Sequence, residues 1–385
     1  MIPYSRRLPW TAGENAISRA LRDRSEPYLD LTESNPSRAG LLSSAQLGAL
    51  ADPRALRYEP HPKGLLTARE AVAAYYADSR GAAVDPERIV LTASTSEAYS
   101  LLFKLLCDPG DCVLVPEPSY PLFGLLTSLE GVQAVPYALR FDGEWHIDAA
   151  ALQFPPRARA VLAVSPGNPT GAFLKQAERT ALAGRCASAG CALICDEVFA
   201  DFALVADPLR VPTVAAHDDV LAFALSGLSK ICGLPQLKLG WCAVSGPPDE
   251  VERAVQRLEL IADTYLSVAT PVQLAAGQLL RGRHDFQRRV LDRVRSNRAA
   301  LLRARSTAAP WDVLPAEGGW SAVLSVPRSR SEDAWTLALL DAGVLVQPGY
   351  FYDFPAGANL VLSLLPREGD FARAAAALAE VIQTP

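Results

Sequence analysis

Strand-length apolar runs alternate with amphipathic helical stretches through the middle of this chain, from residue 89 to about residue 268. This order is typical of a mostly parallel sheet that helices cover on both faces. We therefore predict an α/β fold whose large domain holds a seven-stranded sheet sandwiched by helices. The predicted strands are Ile89–Thr92, 112–116, 133–137, 160–165, Ala192–Asp196, 220–225 and 239–245.

The pattern changes after residue 271 and indicates a second, smaller unit. A long Arg-rich helix comes first, a helix from about Asp370 closes the chain, and between them we predict short strands at 320–326, 344–347 and 360–364. These elements favour a smaller α+β domain, which the residues before about Arg54 complete. The predicted domains are an N-terminal arm with part of the small domain (1–53), the large domain (54–270) and the C-terminal small domain (271–385).

Composition argues against several classes of protein. No apolar run reaches the roughly 18 residues that a transmembrane helix needs, and the first ten residues lack the apolar segment of a secretory signal. We therefore expect no membrane partner and a cytoplasmic location. A net charge of −5 argues against general nucleic-acid binding. The seven cysteines include no Cys-x-x-Cys pair and the four histidines lack metal-ligand spacing, so we predict no metal site.

Polar motifs begin where three predicted strands of the sheet end. Asn168 follows the strand 160–165, Asp196 ends its own strand, and Ser226 follows the strand 220–225 and leads to Lys230. Ligands of such sheets bind outside the carboxyl ends of the strands, so we expect these side chains to lie together. A carbonyl-reactive lysine needs its ammonium form disfavoured, and a buried acid can hold the ring nitrogen of an electron-withdrawing cofactor. These residues are suited to holding pyridoxal 5'-phosphate.

The motifs Asn168-Pro169-Thr170-Gly171, Asp196 and Ser226-Gly227-Leu228-Ser229-Lys230 stand in this order along the chain. With this order and spacing, the chain resembles the class I/II aminotransferases of the aspartate aminotransferase fold family, which are fold type I pyridoxal phosphate enzymes. The resemblance extends from about Tyr58 to about Phe371. It implies an enzyme that moves an amino group between an amino acid and a keto acid, with Lys230 forming a Schiff base to pyridoxal 5'-phosphate.

The resemblance also implies roles for the residues around the cofactor. Lys230 would move the substrate proton, Asp196 would face the ring nitrogen and Tyr120 would stack on the ring, and we count these three as catalytic. Asn168 would donate to the ring 3'-oxygen and also contact the substrate. Tyr58 would reach the phosphate from a neighbouring subunit, which implies a homodimer. The remaining expected phosphate ligands are Ser94, Thr95, Ser96, Ser226 and Lys238.

Two of these assignments have a simpler alternative. Ser94, Thr95 and Ser96 follow the first predicted strand and open a helix. Hydroxyl and N–H groups at a helix N-terminus bind phosphate, but they also serve as ordinary N-caps, and one residue can do both. The simpler alternative for Asp196 is an ion pair with a nearby arginine.

Three positions depart from the family pattern. Lys238 stands where the family has an arginine that binds the phosphate through two hydrogen bonds. Phe199 stands where the family has a tyrosine whose hydroxyl contacts the ring 3'-oxygen. Val361 stands where it has the arginine that binds the substrate α-carboxylate. Either another arginine takes this role or the substrate lacks a free α-carboxylate. The first candidate for this role is Arg38 and the second is Arg367. Arg38 and Asn35 belong to an N-terminal segment that we expect to bind the substrate.

Other functions remain open at this point. A lyase, cyclase or decarboxylase acting on an amino acid could use the same cofactor site, and the departures at Phe199 and Val361 favour it as the alternative. A regulator that keeps the fold without turnover would carry a DNA-binding domain, for which the residues before Tyr58 leave no room. A dinucleotide-binding protein is disfavoured because no Gly-x-Gly-x-x-Gly follows the first strand.

Overall fold

The computed structural model describes residues 2–10, 13–42 and 44–383, except for the side chains of residues 44–46. Its strands, in chain order, are β1 (Leu29–Asp30), β2 (Ile89–Thr92), β3 (Cys112–Glu117), β4 (Gln133–Ala138), β5 (Arg140–Phe141), β6 (Trp145–His146), β7 (Ala158–Val164), β8 (Ala192–Asp196), β9 (Ala222–Gly227), β10 (Gly240–Ser245), β11 (Asp312–Val313), β12 (Ser321–Ser325), β13 (Val344–Leu345), β14 (Gln347–Pro348) and β15 (Asn359–Ser363).

The α-helices are α1 (Ala16–Asp23), α2 (Leu66–Arg80), α3 (Thr95–Leu106), α4 (Phe123–Leu129), α5 (Gln176–Ala189), α6 (Leu228–Ile231), α7 (Pro248–Tyr265), α8 (Thr270–Arg281), α9 (Arg283–Ala304), α10 (Glu332–Asp341) and α11 (Glu368–Gln383). Short 3-10 helices cover Ser44–Leu50, Pro53–Leu56, Pro86–Arg88, Ala149–Ala151, Pro235–Leu237 and Gly349–Tyr352. Within the described residues, no helix combines the length and apolar character that crossing a bilayer requires.

The large sheet has seven strands in the order β2-β10-β9-β8-β7-β3-β4. Its pairs are parallel except for those that β10 makes with β2 and β9, which are antiparallel. All seven predicted strands are therefore present, and the predicted α/β class is confirmed. Because β10 alone runs in the opposite direction, its first residue lies beside the carboxyl ends of its neighbours.

Helices cover both faces of this sheet. Along β8, Leu193 and Cys195 belong to one core and Ala192 and Ile194 to another, as the alternation of side chains in a strand requires. The first core also contains buried residues of α2, α5 and α8, and the second contains those of α3 and α7. Strands buried on both faces read as continuous apolar runs, which is why the sequence identified them so clearly.

A smaller four-stranded antiparallel sheet follows, in the order β11-β12-β15-β14. Its core contains buried residues of α9, α10 and α11. The N-terminal segment joins it, because β1 pairs in parallel with β13 and both Leu31 and Leu41 are buried in the same core. This packing agrees with a small unit built from both ends of the chain.

The long Arg-rich helix expected after residue 271 consists of two helices, α8 and α9, which meet at Gly282. The buried residues of α8 pack into the core of the large sheet, whereas most of those of α9 pack into the core of the small one. On packing grounds the large unit extends to about Arg281. The division at residues 270 and 271 itself stays a prediction.

Candidate active site

The carboxyl ends of three adjacent strands carry the residues that the motifs indicated. β7 ends four residues before Asn168, Asp196 is the last residue of β8, and α6 carries Lys230 directly after β9. β8 lies between β7 and β9 in the sheet. Asn168, Asp196 and Lys230 therefore lie along one edge of the sheet, where parallel strands form ligand sites.

Asp196 is a buried carboxylate with two hydrogen-bond donors. Its Oδ2 accepts from the Tyr99 hydroxyl at 3.2 Å, and its Oδ1 accepts from the Val198 N–H at 3.1 Å. Burial raises the pKa of Asp196 to about 6, although these donors and the charge of Lys230 act in the opposite direction. No arginine in the described part of the chain pairs with this carboxylate. Asp196 can therefore accept a further proton donor near neutral pH.

Lys230 lies against two aromatic rings. Its Nζ is 5.3 Å from the ring centroid of Phe199 and 5.1 Å from that of Trp320. Burial lowers the pKa of Lys230 to about 8, and the negative charge of Asp196 limits this shift. Such a lysine supplies a free amine at physiological pH far more readily than a solvated one does. Phe199, having no hydroxyl, contributes a ring face instead of a hydrogen bond.

The N-terminus of α3 lies beside this edge of the sheet. Ser94 is the N-cap, since its Oγ accepts from the Glu97 N–H at 3.2 Å. The simpler alternative for this motif, an ordinary cap, is therefore realised. The N–H groups of Thr95 and Ser96 belong to the first helical turn and have no intrahelical acceptor. They stay available to an anion, which the helix dipole also favours.

Gly240 brings β10 against the same helix terminus. A Cβ atom at this position would lie 3.1 Å from the carbonyl oxygen of Ser226 and 3.2 Å from the nitrogen of Thr95, closer than nearly all real contacts of such an atom. The Ser226 hydroxyl is buried and has no hydrogen-bond partner in the described part of the chain. Lys238, two residues before Gly240, is exposed and has a left-handed backbone with φ of 53°. The free N–H groups of α3 and the unpartnered Ser226 hydroxyl are donors of the kind that a phosphate needs, and both belong to elements that meet at Gly240.

Asn168 links the large sheet to the small one. Its Oδ1 accepts from the Ser321 hydroxyl at 3.5 Å, while its amide nitrogen donates to no other described residue. Gly171 anchors the same loop, because its carbonyl oxygen accepts from the Gly318 N–H at 3.0 Å. A Cβ atom on Gly171 would lie 2.6 Å from the Gly318 oxygen, and its φ of 71° also favours glycine. The loop therefore presents an amide nitrogen without a described partner at the sheet edge that also carries Asp196.

Tyr120 lies at the mouth of the site and is 37% exposed. Its ring makes an edge-to-face contact with Phe123, with centroids 6.1 Å apart. Burial and the negative charge of Asp196 both raise the pKa of Tyr120. The Tyr120 hydroxyl is thus close enough to Asp196 for that charge to raise its pKa, and the side chain is exposed enough for a ligand to contact its ring.

The small sheet presents an uncharged surface to Asn168. The core-facing residues of its central strands are Ala322, Leu324, Leu360 and Leu362. Alternation therefore places Ser321, Val323, Val361 and Ser363 on the opposite face, where Ser321 contacts Asn168. Val361 is buried and pairs with Val323. At the strand position where the family pattern has an arginine, this chain has Val361, on the same face of the sheet as Ser321.

The candidate substitutes for that arginine lie at the surface. Arg38 Nε pairs with Glu33 Oε2 at 2.9 Å, and its side chain is 75% exposed. Asn35 Oδ1 accepts from the hydroxyl of Ser37 at 2.7 Å, and Arg367 is exposed. None of these residues makes a described contact with the three residues at the sheet edge. Their role in substrate binding stays a prediction.

Tyr58 is 76% exposed. It lines a groove together with Leu101 and Tyr265. The same groove includes Ser267, whose hydroxyl donates to Glu97 in the first turn of α3 at 2.7 Å. The groove therefore lies beside the helix terminus that fits a phosphate.

Sequence analysis did not place Tyr99 at Asp196 or Trp320 at Lys230. Tyr99 lies on the buried face of α3, and Trp320 directly precedes β12. Local sequence does not distinguish either of them from an ordinary core aromatic. The one available signal was the hydroxyl of a tyrosine among apolar helix residues, because a buried tyrosine usually finds a hydrogen-bond partner.

Comparisons with known proteins agree with this fold and identify the family of the chain. A family model described as aminotransferase class I and II matches residues 25–366. The alanine aminotransferase of Mycobacterium tuberculosis is 30% identical over 329 residues, which are 81% of this chain and 75% of that protein. The glutamate-pyruvate aminotransferase AlaA of Escherichia coli is 28% identical over 222 residues, 57% and 55% of the two chains. The solved alanine aminotransferase of Pyrococcus furiosus superposes with a TM-score of 0.86 at 21% identity, covering 96% of this chain and 95% of that one.

The environment of Lys230 predicts how its amine titrates. In the protein without added cofactor, acylation of Lys230 by an amine-specific reagent should rise with a midpoint near pH 8, because burial lowers its pKa. Asp196→Asn should move this midpoint to lower pH, since it removes the charge that stabilises the ammonium. Peptide mass spectrometry over a pH series measures both, with Lys104 as the internal reference. A midpoint above pH 10 for Lys230 would contradict the prediction.

Proposed function

This chain belongs to the aminotransferase class I and II family and is an aminotransferase, and we propose that it works through pyridoxal 5'-phosphate held covalently by Lys230. The observation that carries this proposal is the half-buried amine of Lys230, whose pKa is lowered to about 8, near the buried carboxylate of Asp196. The amine supplies a nucleophile at physiological pH, and the carboxylate supplies a partner for a ring nitrogen. Both groups lie at the edge of the sheet where ligands bind.

The residues present fit this cofactor. The buried Ser226 hydroxyl lacks a partner in the described chain, and the free N–H groups of Thr95 and Ser96 open α3 at the same edge of the sheet, so together they suit the phosphate. The free amide of Asn168 suits the 3'-oxygen of the ring, and the available face of Tyr120 suits stacking on it. When bound, the cofactor withdraws electrons from the carbon that carries the amino group.

The protein's own groups then divide the work. Lys230 Nζ can take a proton from the substrate carbon and return it, because its pKa of about 8 lies close to physiological pH. Asp196, held by the donors on its two oxygens, keeps a proton at the ring nitrogen. Phe199 and Trp320 place apolar ring surface against the amine of Lys230 and so reduce the stabilisation of its charged form by water.

Alanine is our proposed amino donor and pyruvate the matching keto acid. The support is that two relatives are named for alanine and for glutamate-pyruvate transfer. These names also favour amino transfer over the elimination or decarboxylation that the sequence left open. A cytoplasmic location completes the proposal, because the seven cysteines are free thiols and six of them are buried.

Borohydride reduction tests the covalent role of Lys230. After addition of pyridoxal 5'-phosphate, reduction should fix one cofactor on the peptide that contains Lys230, and alanine should convert the unreduced protein to its pyridoxamine form. Lys230→Ala should abolish both, whereas Lys104→Ala should leave both intact. Peptide mass spectrometry and absorbance spectra measure these outcomes. Labelling of another lysine in the native protein would refute the proposal.

Arg38 is our proposed ligand for the substrate carboxylate. A hydrogen-bonded charge pair contributes about 1.5–3 kcal/mol, so Arg38→Ala should raise the KM for alanine by roughly tenfold or more. Arg373 is a matched control, because it is equally exposed and pairs with an acid, Asp370, at 2.6 Å. Steady-state kinetics should show an unchanged KM for Arg373→Ala. An unchanged KM for Arg38→Ala would leave Arg367, or a substrate without a free α-carboxylate.

We further propose a homodimer in which Tyr58 reaches the phosphate of the neighbouring subunit. Leu56 and Tyr58 are 93% and 76% exposed, and Tyr265 in the same groove is exposed as well. Large exposed apolar groups that cluster in this way are typical of an interaction surface. The groove lies beside the N-terminus of α3, so a second copy seated there would bring its own Tyr58 close to the phosphate site.

Hybrid dimers test this arrangement. Mixing Lys230→Ala subunits with Tyr58→Ala subunits should restore activity, because one of the two sites in each hybrid then has both a native Lys230 and a native Tyr58. Each parent alone should remain impaired. Assays of refolded mixtures, with sedimentation to confirm the dimer, measure the recovery. Mixtures no more active than the sum of their parents would show that Tyr58 does not act across the interface.

A further inference from the structure

We infer that Tyr99 is a positioning residue that holds Asp196 ionised and oriented toward the cofactor's ring nitrogen. This inference rests on the proposed function. Its basis is the 3.2 Å hydrogen bond from the Tyr99 hydroxyl to Asp196 Oδ2, between two side chains that are 1% and 8% exposed. Out of water, a hydrogen bond to a carboxylate favours its charged form more than a solvated one does.

The surroundings of Tyr99 leave its hydroxyl little other use. Its ring packs edge to face on Phe123 at 5.3 Å and tilted on Phe103 at 6.0 Å. Asp196 is the hydrogen-bond partner that the structure shows for its hydroxyl. Burial raises the pKa of Tyr99 well above its ordinary value, so the phenol stays a donor across the working pH range.

The titratable and charged groups that act on or near Asp196 show why this donor matters. They are Lys230, Glu197, Tyr99, Tyr120 and Cys195. Only Lys230 carries a positive charge, and Glu197 adds a second buried carboxyl, whose oxygens are taken by Thr213 and Val214. With one cation set against burial and a neighbouring acid, the hydroxyl of Tyr99 helps to decide whether Asp196 is ionised near neutral pH.

Helix α3 would thereby act at two points of the cofactor. Ser94 caps it and Thr95 opens it at the proposed phosphate site, and Tyr99 follows about one turn later, against Asp196. Because both contacts are made by one rigid helix, the geometry of that helix sets the distance between the phosphate site and Asp196, the proposed partner of the ring nitrogen. A merely space-filling Tyr99 would have no such coupling to the ring nitrogen.

Two ligands separate these roles. The apoprotein is titrated with pyridoxal 5'-phosphate and with an analogue in which carbon replaces the ring nitrogen. Tyr99→Phe should weaken binding of pyridoxal 5'-phosphate about tenfold, in line with loss of a hydrogen bond to a charged group, and should change binding of the analogue less than about twofold. The preference for the nitrogen-bearing ring should therefore largely disappear.

Tyr137→Phe is the matched control. Tyr137 is also a buried tyrosine, but its hydroxyl donates to the Leu162 carbonyl oxygen at 2.7 Å, away from Asp196. The Tyr137→Phe substitution should leave the preference for pyridoxal 5'-phosphate over the analogue unchanged. Tyr99→Met is prepared in parallel, so that a folding defect in one variant still leaves a second for the same measurement.

The pH dependence gives an independent readout. The preference for pyridoxal 5'-phosphate over the analogue requires an ionised Asp196. In the native protein this preference should therefore be lost below about pH 6. Because the Tyr99 hydrogen bond lowers the pKa of Asp196, its removal should shift this loss of preference, the acid limb of the pH profile, to higher pH by about one unit. Asp196→Asn should abolish both the preference and the limb.

Equal weakening of both ligands by Tyr99→Phe and Tyr99→Met, or an unmoved acid limb, would overturn the inference and leave Tyr99 a core residue. If the native protein did not bind pyridoxal 5'-phosphate, the proposed function would fail instead. The two failures are therefore distinguishable.

Discussion

The electrostatic interaction between the buried carboxylate of Asp196 and the half-buried amine of Lys230, at or just beyond the ends of adjacent strands, is the one on which this site depends. Asp196 and Lys230 each favour the charged form of the other, yet burial outweighs this attraction at both, bringing their pKa values to about 6 and about 8. Solvated, the two groups would titrate far apart and hold their charges throughout the physiological range. The buried sheet therefore makes them reactive, because its apolar strands and covering helices remove the water that would otherwise stabilise both charges.

The antiparallel strand β10 completes the site. Since it runs against its neighbours, its first residue, Gly240, lies at the same edge as the ends of β8 and β9 and touches the start of α3. The free N–H groups at the start of α3 thereby lie against the strand that pairs with Ser226, whose hydroxyl is buried and unpartnered in the described chain. The same helix carries Tyr99 to Asp196, so one element contributes to both the anion-binding end and the acidic end of the site.

The small sheet sets the chemistry of the opposite wall. Ser321 contacts Asn168, and Val361 on the same face offers no charge. A substrate carboxylate would have to find its cation in the N-terminal segment, where Arg38 now pairs with Glu33, or elsewhere at the surface. The close contact between Gly171 and Gly318 joins the loop that carries Asn168 to the segment before β12, and so holds the small sheet against this loop.

The sequence by itself determined the seven strands, their α/β class and the placing of Asn168, Asp196 and Lys230 at strand ends, because buried strands are continuous apolar runs and polar residues that interrupt them stand out. The sequence also showed that Val361 occupies the position where the family pattern has an arginine. Only the tertiary structure decided what surrounds these residues: Tyr99 on Asp196, Trp320 on Lys230, and the break between α8 and α9. The physical reason is that such contacts join residues far apart in the chain, and a buried tyrosine or tryptophan carries no local mark of the partner it will meet.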